Sequence, residues 1–295
     1  MRPPHRPPSC RHRELTLNYF PAVTSSGESV RQGLEALLSS GSAVELKAFL
    51  ERAEASCPPK CQAYLRDAAT RAAAAGNMEA VMYICGGRVA VHFVPPDETS
   101  ESSGGLGLHT PLMMAFYHGH DDIVMRLLAL PRGEDSPPLN VCRRDYPILT
   151  LAAERGKKRV VEALLNINVD LMTWDEEGHL AVCRAVTNCD VEVVNMLLEA
   201  HARQDGSDEG VRAILDGPCW QEERGHPLLI HAINDELDIA DEARVAMVRC
   251  LSEKWGASVR VLGRDMDAYE FYSLYIAAAT TNLSVVAYFL DECGV

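Results

Sequence analysis

Positive charge is scarce along this 295-residue chain. Lys and Arg number 28 against 42 Asp and Glu, a formal net charge of -14. Phosphate backbones are held by clustered Lys and Arg, so this balance excludes a general nucleic-acid binder. Long apolar runs are lacking too: none approaches the roughly 18 residues of a membrane helix, so no membrane span is expected. The opening MRPPHRPPSCRHRE has no apolar h-region and does not form a secretory signal, and its prolines argue against an amphipathic transit helix.

Signatures of catalysis are also missing. No Gly-rich loop ends in Lys-Ser/Thr, and there is no Gly-x-Ser-x-Gly elbow. Gly104-Gly105-Leu106-Gly107 lacks the strand and helix that flank a nucleotide-binding loop and reads as a linker. Cys57 and Cys61 have a ligand-like spacing but no second Cys/His pair at a matching distance. The expectation is no enzyme, no cofactor and no metal.

What is present is a composition suited to folding, 47% hydrophobic and 24% charged. As one globular core the chain is long, whereas an array in which each unit needs only its neighbours has no such limit. Several of the ten cysteines, Cys85 and Cys250 among them, fall in apolar helical patterns. They read as buried thiols in a reducing compartment, which places the protein in cytoplasm or nucleus. Charge is unevenly spread. Residues 199–245 hold twelve acids against four Arg, a local balance of -8, whereas residues 1–20 carry +3.

One frame recurs along the chain. In TPLMMAFYHGHDDIVMRLLAL, from Thr110, the threonine suits a helix N-cap and Pro111 the first helical position. Gly119 supplies the left-handed stop, and Ile123, Val124, Leu127 and Leu128 mark one face of a second helix. The same slots hold Val160, Val161, Leu164 and Leu165 after Gly156, then Val193, Val194, Leu197 and Leu198 after Cys189. After Gly76 they hold Ala80, Val81, Ile84 and Cys85, and near the end Val285, Val286, Phe289 and Leu290. A first copy is read around Gly41, with Leu46, Phe49 and Leu50. In a distorted copy HPLLIHAIN at 226–234 pairs with ARVAMVRCL at 243–251. The step from Gly156 to Cys189 is 33 residues, those from Gly41 to Gly76 and from Gly119 to Gly156 are 35 and 37, and the others are longer, which implies inserts.

This frame resembles the ankyrin repeat family. The resemblance rests on TPL at 110–112, Gly119-His120, the second-helix stripes and the linker NVDLMTWDEEGHLAV at 168–182. In that linker Asn168-Val169-Asp170 takes the family's Gly-Ala-Asp place, and Asp175 to Gly178 its β-turn. Met113, Thr150 and Cys183 stand where the family usually has His. The implied fold is an all-α solenoid of about six to seven irregular repeats, stacked helix-turn-helix units joined by finger loops. A Pro/Arg-rich tail over 1–28 precedes a repeat domain over 29–295, with inserts near 88–109, 131–145, 199–225 and 235–242.

The resemblance implies a non-catalytic interaction module that binds another protein through its fingers and concave face. Residues in candidate fingers are Arg143, Arg144, Trp174, Asp175, Glu176 and Glu177, with Trp220 in a later insert. Trp174 leads, because Trp is enriched at binding hot spots. The plainer reading of each is an ordinary turn residue on a solvated edge. The acidic stretch 199–245 would steer a partner with a basic surface; its plainer reading is solubility alone. A rival function is a scaffold or substrate-recruiting arm of a larger multidomain protein that continues beyond this chain.

Overall fold

The computed structural model describes residues 48, 58–86, 110–130, 147–175, 177–205, 208–216, 227–233, 239–259, 272–280 and 282–293. Among them the regular structure is helical, with no strand. The helices come in pairs: α1 (Pro58–Ala74) with α2 (Met78–Cys85), α3 (Pro111–Tyr117) with α4 (Asp121–Leu128), and α5 (Ile148–Glu154) with α6 (Lys158–Asn166). Then come α7 (Ala181–Thr187) with α8 (Val191–Asp205), a lone α9 (Asp208–Asp216), α10 (Leu228–Ile233) with α11 (Asp241–Arg249), and α12 (Tyr272–Ala279) with α13 (Leu283–Asp291).

A shared turn makes these pairs one motif. The chain leaves the first helix through a left-handed residue: Gly76 (φ 74°), Gly119 (φ 76°), Gly156 (φ 60°) and Cys189 (φ 53°). That residue and the next send their amides back into the helix. Gly76 N donates to Ala73 O at 3.2 Å and Asn77 N to Ala72 O at 2.9 Å. Gly119 and His120 reach Phe116 and Ala115 at 3.0 and 2.9 Å, Gly156 and Lys157 reach Ala153 and Ala152 at 3.2 and 2.9 Å, and Cys189 and Asp190 reach Val186 and Ala185 at 2.9 and 3.1 Å. This paired pattern satisfies carbonyls that a helix end would otherwise orphan. Cys189 holds the conformation without being glycine, against a steric cost of about 1–2 kcal/mol.

Second helices start on side-chain caps where the sequence supplies them. Asn77 accepts from Ala80 N at 3.1 Å, Asp190 from Val193 N at 3.2 Å and Asn282 from Val285 N at 3.3 Å. The apolar stripes then turn inward. Ala80, Val81, Ile84 and Cys85 are buried, as are the matching four in α4, α6 and α8. A buried aliphatic side chain of this size contributes about 1.5–3 kcal/mol, so one stripe outweighs the intrinsic instability of an eight-residue helix.

Stacking joins the pairs into one core. First helix packs on first helix from α5 through α7 and α10 to α12, and α1 packs on α3; second helices pack in the series α2, α4, α6 and α8. Polar links cross between successive turns. The His120 ring lies over Gly76, with Nε2 3.0 Å from Ala74 O. Lys157 Nζ pairs with Asp121 at 2.9 Å, the Asn188 amide donates to Glu154 O, and Arg155 lies over the Tyr117 ring at 5.0 Å from its centroid.

The last pair is different on one side. Met113, Thr150 and Cys183 are buried in their first helices, as are Phe116, Ala153 and Val186. In α12 the equivalent Tyr275 is 56% exposed and Ala278 is also exposed. In α13 the equivalents of Val124 and Leu128 are Val286, half-buried, and Leu290, 52% exposed. Ala278 therefore does not serve the close helix approach that Ala152 and Ala153 provide.

Two inserts are more ordered than their composition suggests. In the 199–225 insert, residues 199–205 extend α8, and α9 follows, burying Val211, Ile214 and Leu215 against α8 and α10. In the 235–242 insert, Asp241 and Glu242 belong to the first turn of α11, where the helix dipole favours acids. The tail 1–28, the copy around Gly41 and the inserts 88–109 and 131–145 lie outside the described residues. The cysteines are not uniformly buried: Cys85 and Cys183 are, whereas Cys189, Cys250 and Cys293 are half-buried.

Candidate functional site

The described finger joins α6 to α7. Asn168 adopts φ 52° and stops α6, its amide donating to Leu165 O at 3.2 Å. Val169 and Leu171 point into the core and pin the base. Between them Asp170 accepts from Met172 N at 2.9 Å and Thr173 Oγ1 at 3.0 Å, a side-chain turn typical of Asp. The turn holds Met172 outward, 49% exposed. Gln204 Nε2, on the extended end of α8, reaches Val169 O at 3.4 Å and ties the finger base to the next pair.

A second turn closes the finger. Asp175 N donates to His179 O at 2.9 Å, Gly178 N to Asp175 O at 3.0 Å and His179 N to Asp175 Oδ1 at 2.8 Å. Gly178 has φ 76°, a conformation glycine adopts without a Cβ clash. From α7, Arg184 reaches back to Asp175 Oδ2 with Nε at 2.8 Å and Nη2 at 2.6 Å, and Nη2 also meets Glu177 Oε2 at 2.9 Å. Burial by itself would lower the Arg184 pKa, but hydrogen bonds and attraction from Asp175 and then Glu177 outweigh it and hold the guanidinium above its ordinary range. His179 meets His231 of α10 edge to face, ring centroids 5.8 Å apart, so the finger also rests on a later pair.

The seven candidate residues divide accordingly. Trp174 is half-buried and packs on the core. Glu177 is exposed and tethered by Arg184. Asp175 is not a contact residue: its side chain has no exposed surface, and its oxygens are taken up inside the turn. It sets the shape of the finger instead. Arg143, Arg144, Glu176 and Trp220 lie outside the described residues. Sequence reasoning missed Met172 and Arg184. The Asp170-to-Thr173 spacing could have shown that a side-chain turn lifts the intervening Met172 outward.

The Asp175 carboxylate accepts from His179 and Arg184 inside the turn, and its side chain has no exposed surface. Among the described residues, no group of three or more His, Cys, Asp or Glu could hold a metal ion, and no helix is long and apolar enough to cross a membrane.

Comparisons with known proteins agree with this geometry. A family profile for ankyrin repeats, in three copies, matches residues 112–208, from α3 to the end of α8. The fold is similar to an ankyrin repeat domain from Acinetobacter baumannii AYE, at 18% identity and TM-score 0.52, over 75% of this chain and 95% of that one. It is similar to the ankyrin repeat protein EF0377, at 16% identity and TM-score 0.53, over 76% and 96%. A third similar structure is the ankyrin repeat domain of Bcl-3, a member of the IkappaB protein family, at 21% identity and TM-score 0.52, over 75% and 84%. No curated protein matches the sequence. Residues 112–208 match the ankyrin repeat family model, and the helix pairs on either side extend the same fold.

Proposed function

We propose that this protein is a non-catalytic binding module that holds another protein on the finger at 167–180 and the adjoining concave face. Ankyrin repeats in general mediate protein–protein interaction. The single observation that carries the reading to this finger is its internal lock. Asp175 and Arg184 fix the turn from within, so Met172 and Trp174 are presented with little conformational entropy left to lose on binding. Exposed Glu177 adds an acid beside them, which suits a partner with a basic surface. Buried Cys85 and Cys183 suit a reducing compartment, and we place the protein in cytoplasm or nucleus.

The test is affinity capture from a cell extract with the intact chain and with Met172→Ala and Trp174→Ala. Proteins held by the finger should be lost from both variants, in a way that weakens with added salt if the partner is basic. An unchanged set of captured proteins removes the finger as the binding surface.

A further inference from the structure

On a chain of net charge -14, one exposed patch carries no charge. It lies on α12 and α13, a pair that packs on α10 and α11. Tyr275 and Leu290 are 56% and 52% exposed, Ala278 is exposed and Val286 is half-buried. The same four positions hold Met113, Phe116, Val124 and Leu128 in α3 and α4, and Thr150, Ala153, Val161 and Leu165 in α5 and α6. All eight of those residues are buried. Tyr275 and Ala278 stand three residues apart on α12, and Val286 and Leu290 four apart on α13, so each pair shares one helix face. Single exposed apolar residues are ordinary, whereas a patch spread over two packed helices marks a contact surface.

The chemistry of the patch selects its occupant. With no charge at any of the four positions, it fits an apolar surface rather than a basic one. It is also complementary to itself. A large ring, Tyr275, stands one turn from a methyl group, Ala278. About a two-fold axis with the two α12 helices antiparallel, each ring covers the methyl of the other copy. A contact between identical patches requires such self-complementarity. Charge at the rim agrees. Exposed Asp291 lies in the last turn of α13, which holds no base, so this acid sits at the negative end of its own helix. The first turn of α13 holds no acid. In the antiparallel arrangement Asp291 of one copy approaches the positive end of α13 in the other.

We propose that α12 and α13 form a two-fold contact with the same helices of a second copy of this chain. Tyr275 packs on Ala278 in both directions, with Val286 and Leu290 beside them. A contact one helix pair wide is smaller than a standard interface, so a dissociation constant on the order of 10 μM is expected. Two chains of -14 repel each other, which outweighs the one Asp291 attraction at each end. Salt screens that repulsion and therefore tightens this dimer. The finger lies on other pairs, and the inference does not depend on it.

The test is sedimentation velocity of the intact chain at concentrations from about 1 to 200 μM. The mass should rise from that of one 32.4 kDa chain towards that of two and stop there, and the rise should shift to lower concentration with added salt. Ala278→Glu and Leu290→Glu each bring an acid into the contact from an exposed position, and each should weaken the dimer at least about ten-fold. Tyr275→Ala removes the ring and should weaken it by roughly the same factor. The circular dichroism melt at low concentration should stay cooperative in all three. Met172→Ala should leave the dimer unchanged, so failure here and failure of the finger are read separately. A chain that stays monomeric throughout overturns the proposal, as does a dimer that keeps its strength in all three variants. Growth past two copies would mark open head-to-tail stacking and also overturn it. So would a dimer that salt weakens.

Discussion

Replacing Arg184 by Ala should destabilise the protein more than its position at a finger base suggests. Asp175 has no exposed side-chain surface, and Arg184 supplies two of its charge-assisted contacts, at 2.8 and 2.6 Å. In Arg184→Ala only the His179 amide remains among these donors, so a carboxylate is left buried without its countercharge. Breaking a buried pair from one side costs about 3–5 kcal/mol, and water entering a finger relieves part of this, so about 3 kcal/mol is expected. Urea unfolding at pH 7 reads this directly. Asp175→Asn combined with Arg184→Ala should recover roughly 1–2 kcal/mol of the single-variant loss at pH 7, because a neutral amide needs no countercharge. If the two substitutions are simply additive, or if Arg184→Ala costs under about 0.5 kcal/mol, the lock is not what holds the finger.

Gly76→Ala should cost about 1–3 kcal/mol in urea unfolding, since a side chain would be forced to φ 74° and its Cβ would stand 2.7 Å from the His120 ring. His120→Ala in the same background should remove part of that loss, because the clashing ring is gone. Alkaline stability should depend on Cys85, whose thiol burial pushes up from 9.0 to about 12. Its folded pKa is raised, so its contribution is complete below about pH 9 and declines as pH rises towards 12, at up to about 1.4 kcal/mol per unit. Cys85→Ala should flatten that slope in unfolding measured from pH 8 to 11, over the background from Tyr288, which burial raises to about 12.

The second-helix stripes were legible because they follow from period alone: Ile123, Val124, Leu127 and Leu128 can share one face only on a helix. The turns at Gly76, Gly119 and Gly156 were legible because few residues accept their φ. Cys189 was found only by its spacing, and its strain became visible with the backbone. The helical character of 208–216 was hidden by its acids: Glu209 and Asp216 are exposed on α9, while Val211, Ile214 and Leu215 are buried. The role of Asp175 was hidden for a different reason. A carboxylate in a turn looks solvated until Arg184, nine residues later, is seen to fold back on it. Local sequence reports what a residue prefers, and not which distant side chain will claim it.

The exposed flank of α12 and α13 also sets a direction for unfolding. In a one-dimensional array each pair is held by its own contacts and by those with its neighbours. Tyr275, Ala278 and Leu290 are exposed and Val286 is half-buried, at positions that are buried in the pairs around Gly119 and Gly156. Less apolar surface holds this pair, so in this 295-residue chain it is expected to open at lower free energy than those two. Hydrogen exchange would then show α13 opening while the finger between α6 and α7 keeps its shape.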